Sequence, residues 1–368
     1  MAAPIGRRNL FAERRRALLG IAGVATALLL VLALNGIFAG VMRQVTKVID
    51  ESPADVLVAQ AGVRNMHMVY SVIPAESVER VRAMPDVAWA EPLLYDLDAV
   101  VGHNGERQNS YVFGYVPGRR GGPSRLIAGA APGPEEIVLD RLGAQRIGAR
   151  VGSSIEVFGA RWRVSGLTDG LTNITNTVSY VRLEDFARVR QTAGVVSYVL
   201  VGARAAPGAL ARRISTATGL SALTRAEFSA QERRAVQDMS TDLMRIMTVA
   251  AFAIGLAVVA LTLYASTLSR LREVGVMKAI GARSGLLGRV VISQAVWTVG
   301  AALSLAVPLT FGLGWVVERA SGSISLAVEP GSVVTAAVAA AALGALGALV
   351  PLIKVSRVDP ATVFRRAS

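Results

Sequence analysis

The chain has 368 residues, 52% of them hydrophobic and 5% aromatic, with 39 Lys and Arg against 26 Asp and Glu and a net charge of +13. Apolar content this aliphatic points to lipid-facing helices and away from an aromatic-rich soluble core. Cysteine is absent, which excludes disulfides, thiolate metal sites and a cysteine nucleophile.

The N-terminal segment 1–16 is basic, with Arg7, Arg8, Arg14, Arg15 and Arg16 against Glu13. An uncharged run, ALLGIAGVATALLLVLALNGIFAGVM (17–42), follows it. A secretory signal has the same order, but this run is about twice the length of a signal's apolar region, and no small-x-small cleavage site precedes Arg43. An uncleaved spanning helix is expected over 17–42.

From residue 43 to 223 the apolar period changes to alternation, which marks an α+β domain in water. ADVLVAQ (54–60) reads as a strand, SVERVRAMPD (77–86) as a short helix and 87–102 as extended chain, together a β-α-β unit. NSYVFGYV (109–116) is a further strand, and the Gly- and Pro-rich 116–136 reads as a loop. EIVLDRLGAQRIGA (136–149) reads as strand then helix, and 153–169 alternates on both sides of Gly159-Ala160 as a hairpin does. A mostly β subdomain is expected over about 105–190, inserted into the α+β part. VVSYVLVGA (195–203) is a strand, and 207–219 a helix with Pro207 at its start and Gly219 at its end. From Thr224 to Leu268 there is no proline and one glycine, Gly255. A stalk helix, 224–245, is expected to run unbroken into the next span.

Three more uncharged runs follow, 246–268, 290–317 and 331–353. Each exceeds the roughly 20 residues a helix needs to cross a bilayer core about 30 Å thick. In lipid the backbone must satisfy itself, so each is expected to be helical. The basic residues border these runs: segments 1–16, 269–289 and 354–368 hold fourteen of the basic residues and three of the acidic ones, +11 of the net +13. The positive-inside rule places all three in the cytoplasm, with both termini inside and 43–245 and the 318–330 loop outside. The pI near 11 is then a membrane-border effect, met by anionic lipid, and not a nucleic-acid signal. The fold class is thus a membrane protein with four transmembrane helices in a 1+3 arrangement and an extracytoplasmic α+β domain between the first and second.

In the cytoplasmic segment, Leu271, Val274, Met277 and Ile280 recur at steps of three and give an apolar stripe, with Arg270, Arg272, Glu273 and Lys278 elsewhere around the helix and Gly281 suited to its end. Such a stripe needs a protein groove or a membrane surface to cover it. R-E-V-G-V-M-K-A-I-G-A-R (272–283) resembles the signature of FtsX-like and MacB-like ABC transporter permeases, and V-S-R-V-D-P-A-T-V-F-R (355–365) is similar to that family's D-P-x-x-A-L-R ending, with Val363 and Phe364 in place of Ala-Leu. The resemblance implies a MacB-like periplasmic core for the outer domain. It also implies a coupling helix seated in a cytoplasmic ATPase through Leu271, Arg272, Glu273, Val274, Gly275, Met277, Lys278, Ile280 and Gly281, with Asp359 and Pro360 orienting the tail on the same surface. A phosphate-binding G-x-x-x-x-G-K-[ST] loop is absent. ATP and magnesium are therefore expected in a separate ATPase subunit, with no cofactor in this chain. A second permease chain is the expected assembly partner.

Other chemistry is poorly supported. His67 and His103 have no second ligand at metal spacing, and no G-x-S-x-G or S-x-x-K context surrounds a serine. Asn173-Ile174-Thr175 fits a glycosylation acceptor but reads as an ordinary loop. Gly344 and Gly347 permit close helix packing. The spans hold Asn35 and Gln294 but no ionisable group, against ion-coupled transport. The competing readings are a regulatory subunit acting on an outer adaptor or cell-wall hydrolase without transport, and a membrane-anchored scaffold with no ATPase.

Overall fold

The computed structural model describes residues 14–172, 176–269, 284–321, 326 and 330–356. In chain order the first elements are α1 (Arg14–Asp50), β1 (Val56–Ala59), β2 (Ile73–Pro74), α2 (Glu76–Arg82), β3 (Val87–Val101) and β4 (Arg107–Tyr115). Next come β5 (Leu126–Gly129), β6 (Glu136–Asp140), α3 (Arg141–Arg146), β7 (Ser154–Val157), β8 (Ala160–Thr168), β9 (Thr177–Arg182) and α4 (Leu183–Arg190). The chain continues with β10 (Val195–Val196), β11 (Tyr198–Ala203), α5 (Pro207–Thr218), β12 (Ser221–Thr224), α6 (Arg225–Ser269), α7 (Ser284–Ser321) and α8 (Pro330–Ser356). Two compact units result, one gathering the described residues up to Gly40 and from Thr241 onward, the other those within Val41–Ser240.

Among the described residues four stretches are long and apolar enough to cross a membrane: Leu18–Asp50, Arg245–Thr262, Ile292–Ala320 and Pro330–Leu349. They lie in α1, α6, α7 and α8, the 1+3 order the hydropathy predicts. Missing side chains set the packing. A Cβ added at Gly23 would fall 2.6 Å from Val258 Cγ1, and one at Gly347 would fall 2.4 Å from Val259 Cγ1, so α1 and α8 both approach α6 more closely than any side chain allows. Gly347 meets the expectation of small-residue packing; Gly23 is a contact the sequence reading passes over. Val24, Leu28, Val259, Ala302 and Ala340 fill the space between these helices.

The other unit is built on a ten-stranded sheet in the order β12-β1-β11-β3-β4-β9-β6-β8-β5, with β7 joining β3 to β8. The 15-residue β3 is its spine: Val87–Leu93 pairs with β11 and Leu94–Val101 with β4. β1 and β3 are both antiparallel to β11, so they run parallel, and the expected β-α-β unit is split by a strand from far along the chain. Its helix α2 and the later α5 cover one face through Val81, Leu210 and Ile214. The pieces 54–102 and 195–222 pack together through β1, β3, β11 and β12, and the β part that lies between them in the chain continues the sheet from the second half of β3. There β7 pairs with β8 and reaches β3 at Val101–Glu156, closing a ring of β3, β4, β9, β6, β8 and β7 around Val112, Ile137, Ile155 and Trp162.

Local expectations fare unevenly. The hairpin forms one residue earlier than predicted, on Phe158 (φ 54°) and Gly159 (φ 70°) between the paired Val157 and Ala160. Two positive φ angles give the turn whose twist matches that of the strands. Phe158 is held in this unusual conformation by its N–H bond to Asp98 Oδ2 and by an edge-on contact with Phe186 at 5.2 Å. The 116–136 loop requires a correction, since Leu126–Gly129 pairs with β8 as an edge strand. β9, α4 and β12 were not anticipated. α5 starts on Pro207 and ends at Gly219 with φ 72°, as predicted. α6 is one unbroken helix of 45 residues. α1 stays helical to Asp50, past the expected end at 42, because MRQVTKVID contains no breaker. α7 begins at Ser284, so 284–289 belongs to it and not to the coupling segment.

Candidate functional site at the roots of the long helices

Leu271, Arg272, Glu273, Val274, Gly275, Met277, Lys278, Ile280 and Gly281, the predicted coupling residues, lie outside the described residues, as do Asp359 and Pro360. The described site of greatest interest is where α1 ends and α6 begins.

The start of α6 is fixed by its sequence. Thr224-Arg225-Ala226-Glu227 forms a capping box, in which the Glu227 N–H donates to Thr224 Oγ1 at 3.2 Å and Glu227 Oε2 accepts from the Thr224 N–H and hydroxyl, both at 2.9 Å. Those two donors hold the Glu227 carboxyl below the usual carboxylate range. A carboxylate depressed by folding stabilises the fold above its unfolded pKa, and this is lost as pH falls through the lower folded value. Thr224→Ala is expected to cost about 1 kcal/mol at this cap. Hydrogen-exchange protection of residues 225–228 should fall several-fold at neutral pH and respond less to acid than in the parent; unchanged protection would refute the capping role.

Side chains bind the two helices to each other. Ser229 Oγ donates to Asp50 Oδ1 at 2.6 Å, Thr46 Oγ1 donates to Asp50 Oδ2 at 2.8 Å, and Arg233 Nη1 donates to Ser229 Oγ at 2.9 Å and to Thr46 Oγ1 at 3.3 Å. Arg233 lies 3.9 Å from Asp50. The helices are tied to the sheet as well. Arg225 Nη1 donates to Ser52 O at 2.7 Å, the Arg225 N–H to Asp55 O at 2.9 Å, and Asp55 Oδ2 accepts the Ala203 N–H of β11. Lys47 Nζ bonds to Gly170 O.

Two turns into α6, Glu232 is fully buried. Its Oε2 accepts the Met66 N–H, and its Oε1 lies 2.7 Å from His67 Nδ1 and accepts the His67 N–H at 3.4 Å. The segment after β1 is thereby pinned to α6. The His67 ring stands edge-on to Tyr111 at 4.6 Å, next to Tyr95, and Tyr198 meets Phe228 of α6 edge-on at 6.0 Å. Burial pushes the Tyr95 and Tyr198 phenols well above their usual range, with neighbouring phenols and Glu232 adding to the effect at Tyr95. Of the two histidines, His67 is the satisfied one, and His103 is exposed on the β3–β4 turn. Among the described residues no group of three or more His, Asp and Glu is placed to hold a metal. The arrangement is a mechanical joint: two helix ends, each hydrogen-bonded to the other and to a sheet. Sequence reading missed Asp50, Ser229, Glu232 and Arg233. The T-x-x-E box was legible, but nothing in AQERRAVQD marks Glu232 as buried.

Residues 17–217 match the MacB-like periplasmic core domain and residues 245–360 the FtsX-like permease C-terminal family. The chain is 24% identical over 275 residues to an uncharacterised ABC transporter permease of Mycobacterium tuberculosis, covering 74% of this chain and 75% of that one. It is 23% identical over 312 residues to another from Mycobacterium bovis, covering 83% and 86%. Among solved structures it is similar to the periplasmic region of MacB from Actinobacillus actinomycetemcomitans at 10% identity, with a TM-score of 0.38 over 50% of this chain and 94% of that one. The extracellular domain of the ABC-type transporter YknZ from Gram-positive bacteria matches at 14% identity, with a TM-score of 0.36 over 46% of this chain and 98% of that one. With these two family models covering most of it, the chain belongs to the FtsX-like and MacB-like ABC transporter permeases, membrane proteins that work with an ATPase subunit.

Proposed function

We propose that this permease carries the motion of ATP binding and hydrolysis from a separate cytoplasmic ATPase to its sheet unit, outside the cytoplasm, to drive export or extraction of a substrate. The observation that supports the proposal is that α1 (Arg14–Asp50) and α6 (Arg225–Ser269) are each one unbroken helix with a bilayer-length apolar stretch, and that Asp50, Ser229 and Arg233 join the two. A continuous helix transmits axial displacement and rotation, since its backbone hydrogen bonds close within the segment. In this reading both termini are cytoplasmic, as the basic borders require. Segment 269–283 is the coupling helix, with Arg272 and Glu273 contacting the ATPase while Leu271, Val274, Met277 and Ile280 fill its groove. A second permease chain completes the unit.

The test is copurification with the ATPase, followed by ATP turnover in lipid nanodiscs. Arg272→Ala with Glu273→Ala is expected to weaken association at least tenfold, the size of effect that losing two interfacial charges produces. Association and turnover equal to the parent would reject the coupling assignment. If ATP turnover instead activates an outer hydrolase with no movement of cargo, the regulatory reading replaces export.

A further inference from the structure

Next to the root of α1 the sheet unit contains a hollow of about 380 Å³ that the joint does not use. Its floor is the sheet face carrying Leu57, Leu93, Phe113, Tyr180 and Leu200, one from each of five strands, all of them almost fully buried. Val48 and Ile49 of α1 form one wall. Segment 118–124, GRRGGPS, lies over it as a roof. A Cβ at Gly122 would fall 2.3 Å from the Tyr115 ring, and one at Gly121 would fall 2.9 Å from Leu200 Cδ1, so the roof backbone rests directly on the floor side chains.

The mouth is charged. Arg119 and Arg120 line it, and the stretch 116–134 contains these two arginines and Arg125 but no acid. Arg119 is half exposed and lies 3.5 Å from Glu91; Arg120 stacks over Trp89 at 4.9 Å. Both guanidiniums are thus anchored and retain further donors for a ligand. Among the described residues lining the hollow the acid is Glu51, which already accepts from Ser124 and lies 3.7 Å from Lys47.

We infer that this hollow binds a single acyl chain with an anionic head, the chain on the sheet floor and the head against Arg119 and Arg120. Its volume lies in the range of about 300–1,000 Å³ usual for small-molecule sites. The floor offers hydrocarbon and ring carbon, which suits a methylene chain and gives a sugar or nucleotide few partners. Arginine at the edge of an apolar cavity matches a carboxylate or phosphate bidentately. The site stands independently of ATPase coupling, and its test reads no turnover.

The full chain in zwitterionic nanodiscs is labelled with palmitic acid bearing a terminal diazirine, with empty nanodiscs as control, and adducts are mapped by mass spectrometry. Adducts are expected on peptides containing Leu57, Leu93, Phe113 or Leu200. They should fall about tenfold in Arg119→Gln with Arg120→Gln, an exposed pair whose neutralisation sets no like charge against Glu91, and equally in Leu200→Trp, which fills the hollow. Competition by palmitate alone identifies a free fatty acid, and competition by lysophosphatidylglycerol identifies a lipid headgroup; either supports the site. Adducts confined to the spans, adducts insensitive to the arginine substitutions, or equal competition by hexadecanol would overturn it.

Discussion

Glu232→Leu is expected to release the segment Gln60–Val72 from α6 and to destabilise the sheet unit by about 3 kcal/mol, the cost of stranding the groups its carboxyl now bonds. The leucine itself is not what costs. A buried ion exchanged for a well-packed apolar group is often neutral when both partners change together. Here the Met66 N–H and the His67 imidazole remain, two buried donors that have lost their acceptor, and each stranded group costs about 1–3 kcal/mol. Glu232→Gln keeps a carbonyl for the Met66 N–H and leaves His67 to turn its other tautomer toward the amide, so a loss of about 1 kcal/mol is expected. Adding His67→Leu to Glu232→Leu should recover part of the loss, a coupling that a double-mutant cycle measures directly. The readout is hydrogen exchange over residues 60–72. Release also frees Met68, Val69, Tyr70 and Val72, already well exposed, so the leucine variant should aggregate more readily. If Glu232→Leu exchanged like the parent, the carboxylate would be a passenger and the pinning of this segment would rest on the aromatic contacts.

The features read correctly from sequence are those written in contiguous residues. Bilayer-length apolar runs, Pro207 and Gly219 at the two ends of a helix, and the absence of breakers from Thr224 to Leu268 are each local statements, and the helices follow them. What failed is long-range. β1 and β3 were legible as strands, but β11, which separates them, lies about a hundred residues further on, and no period in the chain encodes that pairing. β5 hid because LIAG sits in a Gly- and Pro-rich stretch and is exposed throughout, so it shows no alternation. β9 follows three residues outside the described set and is buried on both faces, which erases the period of two. The joint was illegible for a related reason. Asp50, Ser229, Arg233 and Glu232 look like ordinary solvated positions on two charged helices, and only their juxtaposition gives them a role. The family motifs at 272–283 and 355–365 carried the assignment, while the residues they point to lie outside the described set.

Locking α1 to α6 at the joint should abolish the output while leaving nucleotide binding intact. The chain has no cysteine, so Asp50→Cys with Ser229→Cys creates the sole reactive pair, at positions whose side chains now touch at 2.6 Å. A short, reducible bis-thiol reagent then fixes the two helices together. If the stroke requires the roots to slide or rotate against each other, even one residue of helix rise, about 1.5 Å, breaks the hydrogen bonds of Asp50, Thr46, Ser229 and Arg233. These exchange cheaply for water, at about 0.5–1.5 kcal/mol each. A covalent bridge does not exchange. Output relative to the reduced double variant is therefore expected to fall at least tenfold on bridging, a barrier increase of about 1.4 kcal/mol or more, and to return on reduction, with either single cysteine unaffected by the reagent. Full output from the bridged protein would mean that α1 and α6 move as one body at their roots. The stroke would then have to be a rigid displacement of the whole sheet unit, and the hydrogen bonds between the helices would serve to keep that unit intact as it moves.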